Sequence, residues 1–115
     1  MSARERQPTR GVIRSIVTGI EYSLEPGKEY MIGRGDPAKG LKPEICLDEP
    51  AALQQGTSRL HAKILYQAGD FFIVDLNSTN ATYINGEKLI PQQGYSLRSG
   101  DIIELGKYRM AFTWI

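Results

Sequence analysis

The β-strand pattern of this protein is clearest in residues 57–86, TSRLHAKILYQAGDFFIVDLNSTNATYING. Short runs of strand-forming residues lie at positions 61–66, 71–76, 82–84 and 87–90. The first two runs flank the sequence Gln-Ala-Gly-Asp at 67–70, which is typical of a hairpin loop. The last two flank Asn85-Gly86, a strong hairpin signal because both central positions of a type I′ turn require positive φ. The stretch therefore predicts two β-hairpins in succession.

The pattern of short strands continues on both sides of this stretch. Further candidate strands lie at positions 12–17, 21–24, 29–32, 95–98, 101–105 and 108–114, with a shorter run at 44–47. No segment has a long 3.6-residue apolar period, and residues 49–55 offer at most one or two helical turns. Many short strands with close turns predict an all-β sandwich or barrel. The pattern by itself fits immunoglobulin-like, jelly-roll and barrel folds equally.

Length and charge restrict the classes of function. The 115 residues fit one domain, either a complete protein or a part of a larger multidomain protein. We expect residues 1–10 to be a disordered N-terminal tail and residues 11–115 to form the folded domain. The net charge is +1, so the basic excess typical of nucleic-acid-binding proteins is missing. No apolar run approaches the roughly 18 residues of a membrane span, and residues 1–10 precede no apolar signal-peptide core.

Cysteine and histidine each occur once in the sequence. The lone Cys46 cannot close an internal disulfide, which indicates a reducing compartment and hence a cytoplasmic protein. Because its neighbours are apolar, we expect Cys46 to be a small buried core residue. One histidine and one cysteine are too few for a structural zinc site, so no metal or other cofactor is predicted.

Three polar motifs follow one another at predicted strand ends. They are Gly33-Arg34, then Ser58-Arg59-Leu60-His61, then residues 77–86. A phosphate monoester carries nearly two negative charges and three strong acceptor oxygens. Arginine donates two parallel hydrogen bonds to such a group, serine and threonine hydroxyls donate single bonds, and an asparagine amide can clamp an extended peptide backbone. These residue types therefore fit a phosphorylated peptide better than a bare anion.

In this order and at these separations, the motifs resemble the forkhead-associated (FHA) family. The family pattern is Gly-Arg, then Ser-x-x-His, then Ser-x-Asn-Gly-Thr-x-x-Asn-Gly. The resemblance spans most of residues 20–115 and includes a late strand pair in residues 97–106, LRSGDIIELG. It implies an FHA-type β-sandwich of about 11 short, mostly antiparallel strands. It also implies a non-enzymatic, phosphothreonine-dependent interaction module, whose partner is a protein phosphorylated by a Ser/Thr kinase and bound by loops at one end of the sandwich.

The resemblance also implies roles for individual residues. The phosphate-binding residues would be Arg34, Ser58 and Arg59. The peptide-binding residues would be Thr79 and Asn80. The structural support of the site would come from Gly33, His61, Asn85 and Gly86.

One position departs from the family pattern, because Ala81 replaces the usual glycine after Asn80. If this position needs positive φ, alanine costs on the order of 1 kcal/mol and can displace Asn80. If φ is negative, alanine is harmless. The departure favours an alternative, an FHA-like domain used for phosphate-independent docking or oligomerisation. The intact Arg34 and Ser58 favour phosphopeptide binding.

Two other motifs suggest different functions. Ser58, His61 and Asp75 include the residue types of a catalytic triad, but no Gly-x-Ser-x-Gly elbow surrounds the serine. Residues 34–36 spell Arg-Gly-Asp, the tripeptide read by cell-adhesion receptors, which would require a secreted protein. We therefore treat both matches as accidental.

Overall fold

The computed structural model describes residues 10–115, so the predicted disordered tail lies outside the described residues apart from Arg10. Within that range the chain forms eleven strands and one short α-helix. The strands are β1 Gly11–Ser15, β2 Glu21–Leu24, β3 Tyr30–Gly33, β4 Ile45–Cys46, β5 Ala62–Gln67, β6 Asp70–Asp75, β7 Thr82–Ile84, β8 Glu87–Lys88, β9 Gly94–Ser96, β10 Ile102–Leu105 and β11 Tyr108–Trp114. The helix α1 spans Pro50–Gln54, and a single 3-10 turn spans Pro37–Lys39. No helix among the described residues is long and apolar enough to cross a membrane.

The strands form two sheets packed face to face. The six-stranded sheet has the order β2-β1-β11-β10-β7-β8, and the five-stranded sheet has the order β4-β3-β5-β6-β9. Among the described pairs, β3 and β4 are parallel and the others are antiparallel. The prediction of an all-β sandwich of about 11 mostly antiparallel strands is confirmed.

Side chains that alternate along the strands build the core between the sheets. Its largest fully buried side chains include Phe71 from the five-stranded sheet and Tyr108 and Phe112 from the six-stranded sheet. Phe71 and Phe112 meet edge to face with ring centroids 6.1 Å apart, and Trp114 lies 5.0 Å from Phe71. Such aromatic pairs stabilise a core beyond the area that they bury.

The predicted late strand pair is wrong, because its two strands belong to different sheets. β9 pairs with β6 in the five-stranded sheet, whereas β10 pairs with β7 and β11 in the six-stranded sheet. Between them Leu97 is buried in the core, and its N–H donates to the Phe71 carbonyl at 2.8 Å. The Ser99-Gly100 turn therefore carries the chain from one sheet to the other. Alternation identifies a strand, but it does not identify the strand's partner.

The expectation that Cys46 is a buried core residue is also wrong. Cys46 is exposed, whereas its neighbours Ile45 and Leu47 are buried. Successive side chains of a strand point to opposite faces, and Ile45 occupies the core face of β4. The Cys46 thiol points outward and donates to the Arg34 carbonyl at 3.4 Å.

A buried polar network fixes α1 against the core. The Tyr108 hydroxyl donates to the Glu49 carboxylate at the N-terminus of α1, and it lies 2.6 Å from the Ser15 hydroxyl. Burial, together with the hydrogen bond to Glu49, raises the pKa of Tyr108 to about 12. The helix is thereby held beside the loops that follow β3 and β6. The prediction of one or two helical turns within residues 49–55 is confirmed.

Candidate functional site

Two loops meet through a close backbone approach at the end of β3. The Arg34 N–H donates to the Ser58 carbonyl at 3.1 Å, and the Gly35 N–H donates to the Arg59 carbonyl at 2.9 Å. A Cβ on Gly33 would lie 2.0 Å from the Arg59 carbonyl oxygen, a distance that no side chain tolerates. Glycine at position 33 therefore allows the contact that brings Arg34 beside Ser58.

The half-buried Arg34 is oriented by the backbone of the opposite loop. Its Nε donates to the Thr57 carbonyl at 2.6 Å. This bond uses one of the five guanidinium N–H donors. The Thr57 side chain is buried in turn and donates from Oγ1 to the Leu105 carbonyl at 3.2 Å. The arginine is thus attached to a loop that is itself fastened to β10.

Arg34 lines an open groove of about 410 Å³. The other lining residues are Ser58, Arg59, Leu60, Asn77, Ser78 and Thr79. Two arginines and three hydroxyl-bearing residues therefore line this groove, and none of its lining residues is acidic, although the Ser78 hydroxyl already donates to Asp75. Arg59 is half-exposed, and its Nε lies 3.4 Å from the Asp36 carboxylate, which offsets part of the charge of this arginine. The groove has the composition of a site for a small anion with several acceptor oxygens.

Ser58 joins the first loop to the loop that follows β6. Its Oγ accepts a hydrogen bond from the Thr79 N–H at 3.2 Å. Because the oxygen acts as the acceptor in this bond, the hydroxyl proton remains available to a ligand in the groove.

Asn80 is held by the end of the α1 segment. Its Nδ2 donates to the Gly56 carbonyl at 3.0 Å, which leaves Oδ1 and the second amide proton for other partners. Gly56 has φ of 89°, and a Cβ there would lie 2.7 Å from Asn80 Nδ2. Glycine at position 56 therefore permits both the backbone conformation and the position of the Asn80 amide.

Ala81 has φ of 68°, the left-handed conformation that favours glycine. The strain is on the order of 1 kcal/mol. Two hydrogen bonds to the Ala81 carbonyl hold this conformation: His61 Nε2 and the Gly106 N–H each donate at 2.9 Å. The departure from the family pattern thus keeps the backbone that glycine would adopt and leaves Asn80 hydrogen-bonded.

His61 is fully buried and connects the two loops through both ring nitrogens. Nδ1 accepts from the Ser58 N–H at 2.9 Å, and Nε2 donates to the Ala81 carbonyl at 2.9 Å. This arrangement requires the neutral ring with its proton on Nε2. Burial lowers the pKa of His61, partly opposed by the Ala81 hydrogen bond and the charge of Asp75.

Asp75 is a member of this region that the sequence motifs did not single out as a loop support. Its buried carboxylate accepts from the Ser78 N–H at 3.2 Å, the Ser78 hydroxyl at 2.5 Å and the Thr82 hydroxyl at 2.7 Å. The signal in the sequence was an aspartate at a strand end with a serine three residues later, a pattern that caps turns. Ser58 and Asp75 make different hydrogen bonds from those of a catalytic triad, because His61 bonds the Ser58 backbone and Asp75 bonds Ser78 and Thr82.

The Asn85-Gly86 turn supports the far end of β7. Both residues have positive φ, 51° and 84°, which confirms the predicted hairpin turn. Asn85 Oδ1 accepts from the Ile102 N–H at 2.9 Å, and Nδ2 donates to Asp101 at 3.0 Å. The turn is therefore fastened to the start of β10, away from the groove.

Comparisons with known proteins agree with this architecture. The chain is 36% identical over 95 residues to the oxoglutarate dehydrogenase inhibitor of Corynebacterium diphtheriae, which covers 81% of this chain and 61% of that protein. It is 32% identical over 95 residues to the glycogen accumulation regulator GarA of Mycolicibacterium smegmatis, covering 81% of this chain and 55% of GarA. The chain thus spans less than two-thirds of the length of these relatives.

Solved structures show the same fold. One belongs to a structural and functional analysis of phosphothreonine-dependent FHA domain interactions, with 28% identity, a TM-score of 0.73 and coverage of 93% of this chain and 98% of that one. Another is the FhaA FHA domain in complex with the intracellular domain of Rv3910, with 28% identity, a TM-score of 0.69 and coverage of 89% and 98%. The FHA domain family itself matches residues 30–106, more than half of the sequence. The chain therefore belongs to the FHA domain family.

Proposed function

We propose that this domain binds a peptide segment containing phosphothreonine, presented by a partner protein that a Ser/Thr kinase has phosphorylated. The phosphate occupies the groove lined by Arg34, Ser58 and Arg59, and the peptide backbone lies against Thr79 and Asn80. The domain acts as a binding module and carries out no reaction. Two of its relatives are an inhibitor and a regulator by name, which supports this assignment.

The observation that carries the proposal is the chemistry of the 410 Å³ groove. A phosphate monoester with nearly two negative charges matches a lining of hydroxyl-bearing residues and two arginines, of which Arg59 alone is paired with a carboxylate, that of Asp36. Arg34 offers terminal N–H groups, and Ser58 offers a hydroxyl proton, because their other atoms are already bonded to Thr57 and Thr79. The donors are therefore oriented before the ligand arrives, which reduces the entropy lost on binding.

Asn80 supplies the contact that distinguishes a peptide from a free anion. Its Nδ2 is bonded to the Gly56 carbonyl, so Oδ1 is positioned to accept a main-chain N–H of the bound peptide. A shallow, partly wet contact of this kind gives a dissociation constant of about micromolar order.

The test is calorimetric titration with a degenerate phosphothreonine peptide library and its unphosphorylated counterpart. We expect binding of the phosphorylated library alone, and a loss of most of the affinity in Arg34→Ala with little change in thermal stability. The matched control is Arg98→Ala, because Arg98 is an exposed arginine that does not line the groove. Equal binding of both libraries would refute phosphate recognition and support the alternative of phosphate-independent docking or oligomerisation. A large loss of folding in Arg34→Ala would instead show that Arg34 is structural.

A further inference from the structure

A cluster of exposed aliphatic side chains lies at the turn between β1 and β2. Ile16 and Val17 are each 44% exposed, and Ile20 is 53% exposed. We call these three residues the β1–β2 apolar cluster. Single exposed aliphatic residues are ordinary on a protein surface, whereas three within five positions concentrate apolar surface at one turn.

A row of residues connects this cluster to the peptide site across the outer face of the six-stranded sheet. Tyr83 of β7 pairs with Glu104 of β10, and Glu104 pairs with Arg109 of β11. The Ile16 N–H then donates to the Arg109 carbonyl at 3.0 Å. The four residues therefore lie side by side on adjacent strands. Three strand spacings of ~4.8 Å make the row about 14 Å long.

Two open grooves border this row and share part of their walls. One, of about 540 Å³, begins at Gly56 and Asn80 and reaches Tyr83. The other, of about 570 Å³, ends at Ile16 and Val17. Both are lined by Gln55, Glu104 and Lys107. The surface is thus continuous from the peptide-clamping asparagine to the apolar cluster.

The charges along this surface favour an acidic residue at its middle. Glu104 lies 3.3 Å from Arg109, so these two charges largely offset each other. Lys107 lines both grooves at the β10–β11 turn, and its N–H is bonded to the Gln55 carbonyl at 2.8 Å. The backbone that carries the Lys107 ammonium is therefore fixed, and the ammonium is the cation at the junction of the grooves.

We propose that the phosphorylated partner chain continues past Asn80 across this row, with an acidic side chain at Lys107 and a bulky aliphatic side chain on Ile16 and Val17. An extended chain advances ~3.3 Å per residue, so the aliphatic residue lies about four positions from the residue at Tyr83. Because Asn80 lines the same groove as Tyr83, the aliphatic residue lies about four to six positions from the residue at Asn80. This inference rests on the proposed phosphopeptide binding and adds a second recognition element to it. The docked surface explains why aliphatic side chains are exposed at the end of a row that begins at the peptide site.

The experiment compares a short phosphothreonine peptide with two extended series by fluorescence anisotropy. Each series adds an aspartate and then a leucine, with the leucine four to six positions away on either the N-terminal or the C-terminal side. We expect one series to bind roughly 5- to 10-fold more tightly than the short peptide. Exchanging the leucine for serine should abolish most of this gain. The aspartate should contribute about 2- to 5-fold at low salt and less at high salt.

Protein variants test the same surface independently. The double variant Ile16→Ser with Val17→Ser should remove the leucine-dependent gain, and Lys107→Ala should remove the aspartate-dependent gain, while affinity for the short peptide stays unchanged. Ile90→Ser and Lys88→Ala are the matched controls, because Ile90 and Lys88 are exposed and line neither groove. Thermal melting of each variant verifies that it folds.

The outcomes separate this inference from the proposed function. If the short phosphopeptide binds and neither extended series gains affinity, the docking surface is refuted and phosphate reading stands. If no phosphopeptide binds, both are refuted. A leucine-dependent gain that persists in the double variant would also overturn the proposal. So would a double variant that changes only concentration-dependent self-association, because the cluster would then contact a second copy of the chain.

Discussion

Replacing His61 with alanine is expected to destabilise the domain by about 3 kcal/mol and to weaken phosphopeptide binding. The ring is fully buried and makes two hydrogen bonds, from the Ser58 N–H and to the Ala81 carbonyl. Loss of the ring leaves the Ser58 N–H without its acceptor, at a cost of about 1–2 kcal/mol. The Ala81 carbonyl still accepts a bond from the Gly106 N–H, so losing the bond from His61 costs only about 0.5–1 kcal/mol. The vacated space contributes about 1 kcal/mol more.

Urea denaturation followed by the fluorescence of Trp114 measures this effect. Trp114 is the single tryptophan of the chain and lies 5.0 Å from Phe71, so its emission reports on core packing. In thermal denaturation, a loss of 3 kcal/mol in the free energy of unfolding should lower the melting temperature by roughly 10–15 °C. An unchanged urea slope would show that the native state itself, and not the compactness of the unfolded chain, was altered. A cost below about 1 kcal/mol would refute the conclusion that His61 holds the two loops together.

The same residue makes stability depend on pH. Burial keeps the pKa of His61 below its ordinary value of 6.5. The His61 ring therefore stays neutral in the folded protein at pH values where it takes up a proton in the unfolded chain. The unfolded state then binds more protons, and stability rises with pH in that range. The stabilisation that the neutral His61 ring contributes is therefore complete above pH 6.5, and it decreases as the pH falls through the pKa of His61 in the unfolded chain. Urea midpoints between pH 8 and pH 5.5 should show this decrease in the native protein. A His61→Gln variant with the same decrease would contradict the assignment, because His61 is the single histidine.

Three further substitutions test the backbone and loop supports of the site. Ala81→Gly should stabilise the domain by about 0.5–1 kcal/mol in urea denaturation, because it relieves the left-handed strain at φ of 68°; a loss of stability would show that alanine is unstrained there. Gly33→Ala should cost more than about 3 kcal/mol of stability or prevent folding, because the added Cβ would collide with the Arg59 carbonyl. The control Gly40→Ala places its Cβ in open space and should cost about 1 kcal/mol. Equal melting temperatures of the two variants would contradict the close approach at Gly33. Asp75→Ala should cost about 2–4 kcal/mol by leaving three donors without their acceptor and should loosen the loop after β6; protection of that loop from hydrogen exchange as in the native protein would argue against this.

Local patterns in the sequence were sufficient to predict most strands and turns. The alternation in residues 61–66 and 71–76, and the Asn85-Gly86 signal, describe contacts between residues that are near one another in the chain. The prediction failed where the partner was distant. β9 and β10 are neighbours in sequence but belong to different sheets, and the exposure of Cys46 depends on which face of β4 meets the core.

The candidate site was likewise predictable from the sequence only in part. Arg34, Ser58 and the loop at 77–81 were recognisable because their residue types suit a phosphate and occur in the order of a known family. The residues that orient them, Gly56 and Thr57, carried no recognisable motif, because they act through their backbone carbonyls. A carbonyl oxygen is present at every position, so sequence does not mark the ones that accept these bonds.

The sequence by itself determined that this protein is an all-β domain with an FHA-type set of polar loop residues. The sequence was sufficient for these two conclusions because strand alternation, turn chemistry and the affinity of arginine for phosphate are properties of residues and their near neighbours. Only the tertiary structure decided the conformation of Ala81, the neutral tautomer of His61 and the row from Tyr83 to Ile16. Each of these depends on segments that are distant in sequence and meet only when the two sheets pack. The φ of Ala81 shows the reason most directly. The hydrogen bonds that hold its left-handed backbone come from His61, which precedes β5 of the five-stranded sheet, and from Gly106, which follows β10 of the six-stranded sheet.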